Sequence, residues 1–498
     1  MKAKLTYSKN FTVGRIDPRI YGSFVEHLGR CVYGGIYEPT HPTADENGFR
    51  RDVLELVKEL GTPIVRYPGG NFVSGYNWED GTGPRENRPV RTELAWHTLE
   101  TNEVGIDDFA GWAKKAGVEI MQAVNLGTRG PQEAKDLVEY CNFPGGTEWS
   151  DRRRANGHEE PFGVKVWCLG NEMDGPWQTG AKKPVEYARV AREAAKLMKW
   201  LDPSIELVAC GSSNMGMPTF GEWEATVLDE TFDMVDYISL HSYYANRDKN
   251  MPKFLASSIG MDKFIKSVVA ICDYIAAKKH SSKKIMLSFD EWNVWYHSDA
   301  ATAEIPMWSI APPQLEDVYD FADALVVGSF LTTLMNNCDR VKMACIAQLV
   351  NVIAPIMTRN GGGAWRQTIF HPFALSARYG RGETLRPALD CPTYDIDGDA
   401  VPYLEAAGVL NEEAGELTIF AVNRSIDEPL ELEINLENID ATLFERILVN
   451  HDSFDATNTE EHPDNVAPVT TSTSEPTVGG KLSVTLEPHS YNVLRFKI

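Results

Sequence analysis

Between residues 18 and 385 the chain repeats one pattern. A short, continuously apolar run is followed by a longer segment with helical periodicity. Eight such runs stand out: Ile20–Phe24, Pro63–Tyr67, Glu119–Val124, Val164–Leu169, Ile205–Cys210, Tyr237–Leu240, Lys284–Phe289 and Val341–Ala347. Unbroken apolar character over so few residues is the mark of parallel strands buried on both faces. The intervening segments carry apolar stripes at spacings of three and four. Phe109, Trp112, Ala113 and Ala116 make one, and Met261, Phe264, Ile265, Val268, Cys272 and Ile275 a longer one. Pro184 suits the first turn of the helix predicted over 186–201. Eight strand–helix units predict a (β/α)8 barrel. An open doubly wound sheet is the alternative. No GxGxxG or GxxxxGK[ST] follows an early strand, so a nucleotide site lacks its usual marker.

After residue 385 the period changes. Glu416–Asn423, Leu430–Leu436, Thr442–Val449, Lys481–Leu486 and Tyr491–Ile498 read as antiparallel strands separated by turn residues. Ala3–Tyr7 and Phe11–Val13 read as strands ahead of the barrel, placed to pair with the C-terminal sheet. The stretch His451–Gly480 is rich in Thr, Ser, Pro and Asn and reads as a long polar loop. The expected division is a catalytic barrel over 18–385 and a jelly-roll-like β-sandwich made of 1–17 and 386–498.

Charge narrows the partners. The 498 residues carry a net charge of −23, which leaves no basic face to neutralise phosphates. Nucleic acid and anionic membranes are poor partners, and a neutral ligand fits best. The N-terminal stretch has no apolar run of signal-peptide length, so export by that route is not expected. Ala322–Met335 is the most apolar long window, but it is too short and too polar to span a bilayer and reads as a buried barrel helix. None of the eight cysteines forms CxxC or a zinc spacing. Reduced, buried thiols in a cytoplasmic protein are the expectation.

In a (β/α)8 barrel the chemistry sits at the C-terminal ends of the strands. Two carboxylates stand there: Glu172, closing the fourth run, and Glu291, closing the seventh. Those two ends face each other across the barrel mouth. Glycoside hydrolysis needs such a pair, one carboxylic acid to protonate the leaving oxygen and one carboxylate on the other side of the anomeric carbon. Glu172 would have to be protonated at rest and Glu291 ionised.

Four segments then carry a resemblance. They are Tyr21-Gly-Ser-Phe-Val-Glu26-His27-Leu-Gly29, Arg66-Tyr-Pro-Gly-Gly-Asn71-Phe72, Trp167-Cys-Leu-Gly-Asn171-Glu172-Met-Asp-Gly-Pro-Trp177-Gln178 and Ser288-Phe-Asp-Glu291-Trp-Asn-Val-Trp295-Tyr296. In this order they resemble family 51 α-L-arabinofuranosidases, retaining glycosidases of clan A, over nearly the whole chain. The resemblance implies Glu172 as acid/base and Glu291 as nucleophile, with no cofactor. Glu26, Asn71, Asn171 and Gln348 would hydrogen-bond the sugar, with Asn171 on its 2-hydroxyl. Tyr243 would orient Glu291, Trp96 and Trp295 would wall the sugar, and Arg66 and His241 would support the carboxylates. The implied substrates are arabinose-containing oligosaccharides, and the implied assembly is a homohexamer. Ser242 departs from the family pattern, where Gln is expected between His and Tyr.

Plainer readings stand beside these. Glu26 could pair with Arg30 or Arg66, His241 could satisfy buried backbone, and Asn71 could be a turn residue. Trp177 and Trp292 read as core packing, and Asp290 as pointing away from the site. A metal-dependent barrel hydrolase would draw on His27, His241 and His297, although a first-strand His-x-His is missing. A non-catalytic carbohydrate-binding protein would leave the two carboxylates without a purpose.

Overall fold

The computed structural model describes residues 1–498. Eight parallel strands close into a barrel: Gly22–Phe24, Ile64–Tyr67, Glu119–Ala123, Val166–Leu169, Glu206–Ala209, Tyr237–Tyr244, Met286–Val294 and Val341–Ala347. The eighth pairs with the first, Cys345 beside Gly22, which completes the closure. Ile64–Tyr67 and Val166–Leu169 are buried at every position, as strands covered on both faces must be. The helices Ile106–Ala116 and Ser257–Lys278 bury the two stripes read from the sequence.

Two strands run further than their apolar runs. The sixth continues through His241–Tyr244 and the seventh through Asp290–Val294, and the two remain paired, His241 beside Glu291 and Tyr243 beside Asn293. A register shift separates Ser239 from His241. The polar residues at these positions hide the strand from a pattern search, while the ladder supplies the hydrogen bonds that keep it extended.

Helix Phe321–Asn336 is buried along its length, Asn336 excepted. It lies between the barrel and the C-terminal sheets. A Cβ on Gly328 would sit 2.5 Å from the Tyr491 ring, so only glycine admits the last strand, Ser490–Lys497, this close.

Apart from three two-stranded ribbons, the remaining strands form a four-stranded and a seven-stranded sheet. They enclose a second apolar core, including Leu5, Tyr7, Leu432, Ile434 and Phe496, separate from the barrel's. Lys2–Ser8 runs parallel to Leu430–Glu437, and Thr12–Arg15 pairs with Glu383–Leu385, so the chain's two ends meet in one sandwich. Four strands of these sheets escaped the sequence reading, among them the short Glu383–Leu385 and Ala388–Asp390. Leu404–Asn411 is central in the larger sheet, and Val469–Pro476 is its edge, inside the stretch read as a polar loop. The edge strand's Thr and Ser side chains face solvent on both sides, which leaves no alternation to read. No helix is long and apolar enough to cross a membrane.

Candidate active site

A cavity of about 690 Å³ opens at the C-terminal end of the barrel, within the range of small-ligand sites. Glu26, Asn71, Trp96, Glu172, Tyr243, Glu291, Trp295 and Gln348 all line it.

Glu172 comes just after the fourth strand with φ of +44°, a left-handed backbone that a side chain rarely adopts. The Gly175 amide donates to its carbonyl at 2.8 Å and holds the turn. This turn aims the carboxyl across the mouth. Its Oε1 lies 2.9 Å from His241 Nδ1, and its Oε2 accepts from Trp177 Nε1 at 2.6 Å. Glu291 is held differently. Arg66 Nη1 donates to its Oε1 at 2.6 Å, and the Tyr243 hydroxyl to its Oε2 at 2.8 Å. An oxygen of Glu172 and one of Glu291 lie within 4.8 Å of each other, with His241 Nδ1 between them. One carboxylate thus faces a guanidinium and a phenol, and the other an imidazole and an indole.

A layer of buried charge fixes this pair. His241 Nε2 meets Asp290 Oδ1 at 2.9 Å, and Arg66 Nε lies 3.7 Å from Asp290 Oδ2. Burial alone would push His241 down. The charges of Glu291 and Asp290, with hydrogen bonds to Asp290 and Glu172, outweigh it and raise the imidazole well above its usual range. Asp290 therefore positions His241, which is more than the packing role read from its sequence. Arg66 Nη2 also donates to Asn171 Oδ1 at 2.7 Å, and the Asn171 amide nitrogen donates to Asn71 Oδ1 at 3.2 Å and Gln178 Oε1 at 3.4 Å, which holds this buried side chain just beneath the cavity lining. Arg66 and His241 do not line the cavity; they hold the residues that do.

Glu26 pairs with neither arginine. It accepts from the Phe72 amide at 2.9 Å, Trp96 Nε1 at 3.0 Å and Gln348 Nε2 at 3.2 Å. Burial pushes its carboxyl up to about 8 against the Phe72 bond, and Glu291 adds to the rise. The rise favours the protonated form of Glu26, which can donate to a hydroxyl. Gly70 leaves room for this, since a Cβ there would lie 3.1 Å from Glu26 and 3.2 Å from Glu291. Trp295 stands edge-on to Tyr243 at 5.3 Å, and its buried indole N–H has no partner in the protein.

Trp292 is core, as read, but Trp177 is not. Its ring is half-exposed on the cavity wall, bonded to Glu172. The loop after the fifth strand, Ser213–Gly216, also lines the cavity and carries no chemical signature in the sequence. The three histidines of the metal-hydrolase alternative are not brought together. His27 sits between Glu100 and Tyr67, and His297 meets Asp323. A cation among Glu172, His241 and Glu291 would have to displace an imidazole already engaged at both nitrogens.

A closed (β/α)8 barrel with two buried carboxylates facing each other across a sugar-sized cavity defines a glycoside hydrolase. Comparison with known proteins gives the family. The Alpha-L-arabinofuranosidase 1 domain matches residues 56–259, and the Alpha-L-arabinofuranosidase C-terminal domain matches residues 290–490. The chain is 58% identical, over 100% of its length and 99% of the relative's, to the intracellular exo-α-(1→5)-L-arabinofuranosidase 1 of Bacillus subtilis. It is 50% identical, over 100% and 97%, to an exo-α-(1→6)-L-arabinofuranosidase of Bifidobacterium longum. Among solved structures, the family 51 α-L-arabinofuranosidase AbfB of B. longum superposes with a TM-score of 0.93 at 50% identity, over 99% of both chains. The arabinose complex of the Thermotoga maritima α-L-arabinofuranosidase gives 0.89 at 33% identity, over 100% of both. The chain belongs to the family 51 α-L-arabinofuranosidases.

Proposed function

We propose that the protein is an exo-acting hydrolase that removes terminal α-L-arabinofuranosyl groups from arabino-oligosaccharides with net retention, through a covalent glycosyl-enzyme. The observation that carries this reading is the carboxylate pair, with an oxygen of each within 4.8 Å. That spacing suits direct attack by one carboxylate, at about 5–5.5 Å. An inverting pair holds a water between carboxyls about 6.5–9.5 Å apart.

Glu291 is the nucleophile. Arg66 and Tyr243 stabilise its charge and fix its direction. Glu172 donates its proton to the departing oxygen, then takes one from the water that cleaves the intermediate. His241 orients Glu172 and is itself held by Asp290. Asn171 serves the 2-hydroxyl, a contact that tightens in the oxocarbenium-like transition state. Glu26, Asn71 and Gln348 bind the other hydroxyls, and Trp96 and Trp295 wall the ring. Glu383–Leu385 pairs with Thr12–Arg15 and Leu404–Asn411, so the barrel is taken to end before 383, short of the expected 385, and the sandwich to hold 1–17 and 383–498.

The substrate follows from the relatives. Those of B. subtilis, Halalkalibacterium halodurans and Acetivibrio thermocellus are named intracellular exo-α-(1→5)-L-arabinofuranosidases. Cytoplasmic action on short arabinan or arabinoxylan fragments fits those names and the reduced thiols, and the assembly we infer is a homohexamer. The test sets aryl α-L-arabinofuranoside beside aryl β-D-xylopyranoside and β-D-glucopyranoside, with and without EDTA. Selective, EDTA-resistant cleavage of the arabinofuranoside, reduced by several orders of magnitude in Glu291→Ala, is expected. Preference for another glycoside, or a fully active Glu291→Ala, overturns the reading.

A further inference from the structure

His297, Asp320 and Asp323 meet beside the C-terminal sandwich, outside the catalytic cavity. His297 lies just past the seventh barrel strand, and Asp320 and Asp323 are the N-cap and third residue of helix Phe321–Asn336. One nitrogen or oxygen from each lies within 4.8 Å of the others. His297 Nε2 and Asp323 Oδ2 are 2.9 Å apart. Neighbouring ligands on a tetrahedral ion with bonds of about 2.0–2.2 Å stand about 3.3–3.6 Å apart, so an ion would open the His297–Asp323 contact and draw the three groups, now within 4.8 Å, around itself.

Helix capping accounts for part of the cluster. The Asp323 amide donates to Asp320 Oδ1 at 3.0 Å, and the Asp320 amide donates to Asp323 Oδ2 at 2.9 Å. Capping leaves the rest unexplained. Asp323 is wholly buried, and its Oδ1 accepts no hydrogen bond. Its one ion-pair partner is His297. Asp317 faces the same corner, but its oxygens are taken by the amides of Tyr296, His297 and Ser298 at 2.9, 3.0 and 2.9 Å, which fixes the turn that carries His297. Adjacent carboxylates with a free buried oxygen and no lysine or arginine are relieved by a multivalent cation.

We propose that His297, Asp320 and Asp323 form a structural site for a divalent cation of the zinc class, with water as the fourth ligand. An imidazole beside carboxylates suits Zn²⁺, Co²⁺ or Ni²⁺, whereas Ca²⁺ and Mg²⁺ prefer oxygen throughout. The His297 side chain is 21% exposed, which gives the ion a way in. The site joins three pieces. The seventh strand leads through Trp295, on the cavity wall, to His297. The buried helix supplies the two aspartates. The segment around 454–457 is bound to that helix's start, by the Ala322 amide on the Phe454 carbonyl at 3.1 Å and by the bridge between Asp320 and Thr457. An ion here braces the wall of the cavity and takes no part in bond cleavage.

The test uses the whole protein, stripped with EDTA, desalted and titrated with zinc sulfate. Retained zinc is measured by mass spectrometry after a second desalting, and melting temperature is followed in parallel. Wild type is expected to retain about one zinc per chain and to gain about 2–4 °C. His297→Gln and Asp320→Asn, the latter keeping an N-capping oxygen, are expected to lose both effects while cleaving aryl arabinofuranoside as wild type does. Zinc bound instead at Glu172, His241 and Glu291 would inhibit hydrolysis and persist in both variants. Wild type retaining no zinc, or both variants retaining and gaining as much as wild type, overturns the proposal. Zinc bound through His297 in a protein that cleaves no arabinofuranoside would refute the proposed activity and leave this site standing.

Discussion

Glu26 and Tyr243 show how single side chains are set by what surrounds them. Glu26 moves from an ordinary 4.5 to about 8 because it is buried beside other acids. The folded chain therefore keeps a proton that the unfolded chain loses above about pH 4.5. Linkage makes Glu26 cost stability progressively as pH rises from about 4.5 to about 8, with no further change beyond. Glu26→Gln removes that slope. Its melting temperature relative to wild type is expected to climb from pH 5 to pH 8, and any fixed offset from imperfect packing drops out of the comparison. A difference that stays constant with pH would mean that Glu26 titrates normally. Tyr243→Phe removes one of the two donors on Glu291 and leaves the cavity's shape intact. The expected loss is about 10–100-fold in kcat with little change in KM, because the lost bond directs a nucleophile rather than binding sugar. A rise in KM at constant kcat would place Tyr243 on the substrate instead. Sequence alone separated Glu172 and Glu291 from the chain's other acids because they close the fourth and seventh apolar runs, whose ends face each other across the barrel mouth. It could not separate Trp177 from Trp292. Both flank those carboxylates, and which ring reaches the cavity depends on the turn after the strand, where Glu172 takes its positive φ.

At the scale of elements, legibility follows burial. The barrel strands were readable because both faces are covered, and the long helices because one stripe is. The ends of strands six and seven were not, since their residues were chosen for chemistry and the neighbouring ladder alone keeps them extended. Val469–Pro476 is the opposite case, an exposed edge with no face to bury. Helix Phe321–Asn336 is the element that both halves of the molecule share. Gly328→Ala would drive a methyl against the Tyr491 ring, 2.5 Å away. Overpacking of this kind costs about 1–3 kcal/mol. The melting temperature of Gly328→Ala is expected to fall and to recover in part with Tyr491→Leu, which gives the methyl room. An unchanged melting temperature in the single variant would show that the last strand is not seated on this helix.

Across the whole molecule, the sandwich joins strands from before the barrel to strands after it, so it cannot form until Leu430–Glu437 has been made. The sequence indicated this union because strands at 3–7 and 11–13 precede the barrel with no partners near them. It could not indicate the register, which pairs residues more than 400 positions apart, as Lys2 with Glu431. Closure of the barrel, its eighth strand on its first, brings the ends of the fourth and seventh strands to opposite sides of one cavity, and the proposed chemistry depends on that juxtaposition. The measurement that tests it most directly is peptide mapping by mass spectrometry of Glu172→Ala after reaction with dinitrophenyl α-L-arabinofuranoside. This leaving group departs without an acid, and the variant lacks the base that would release the intermediate. A single pentosyl group esterified to Glu291 is the result expected. An adduct on another residue, or turnover with no adduct and an inverted sugar as the first product, would contradict the account.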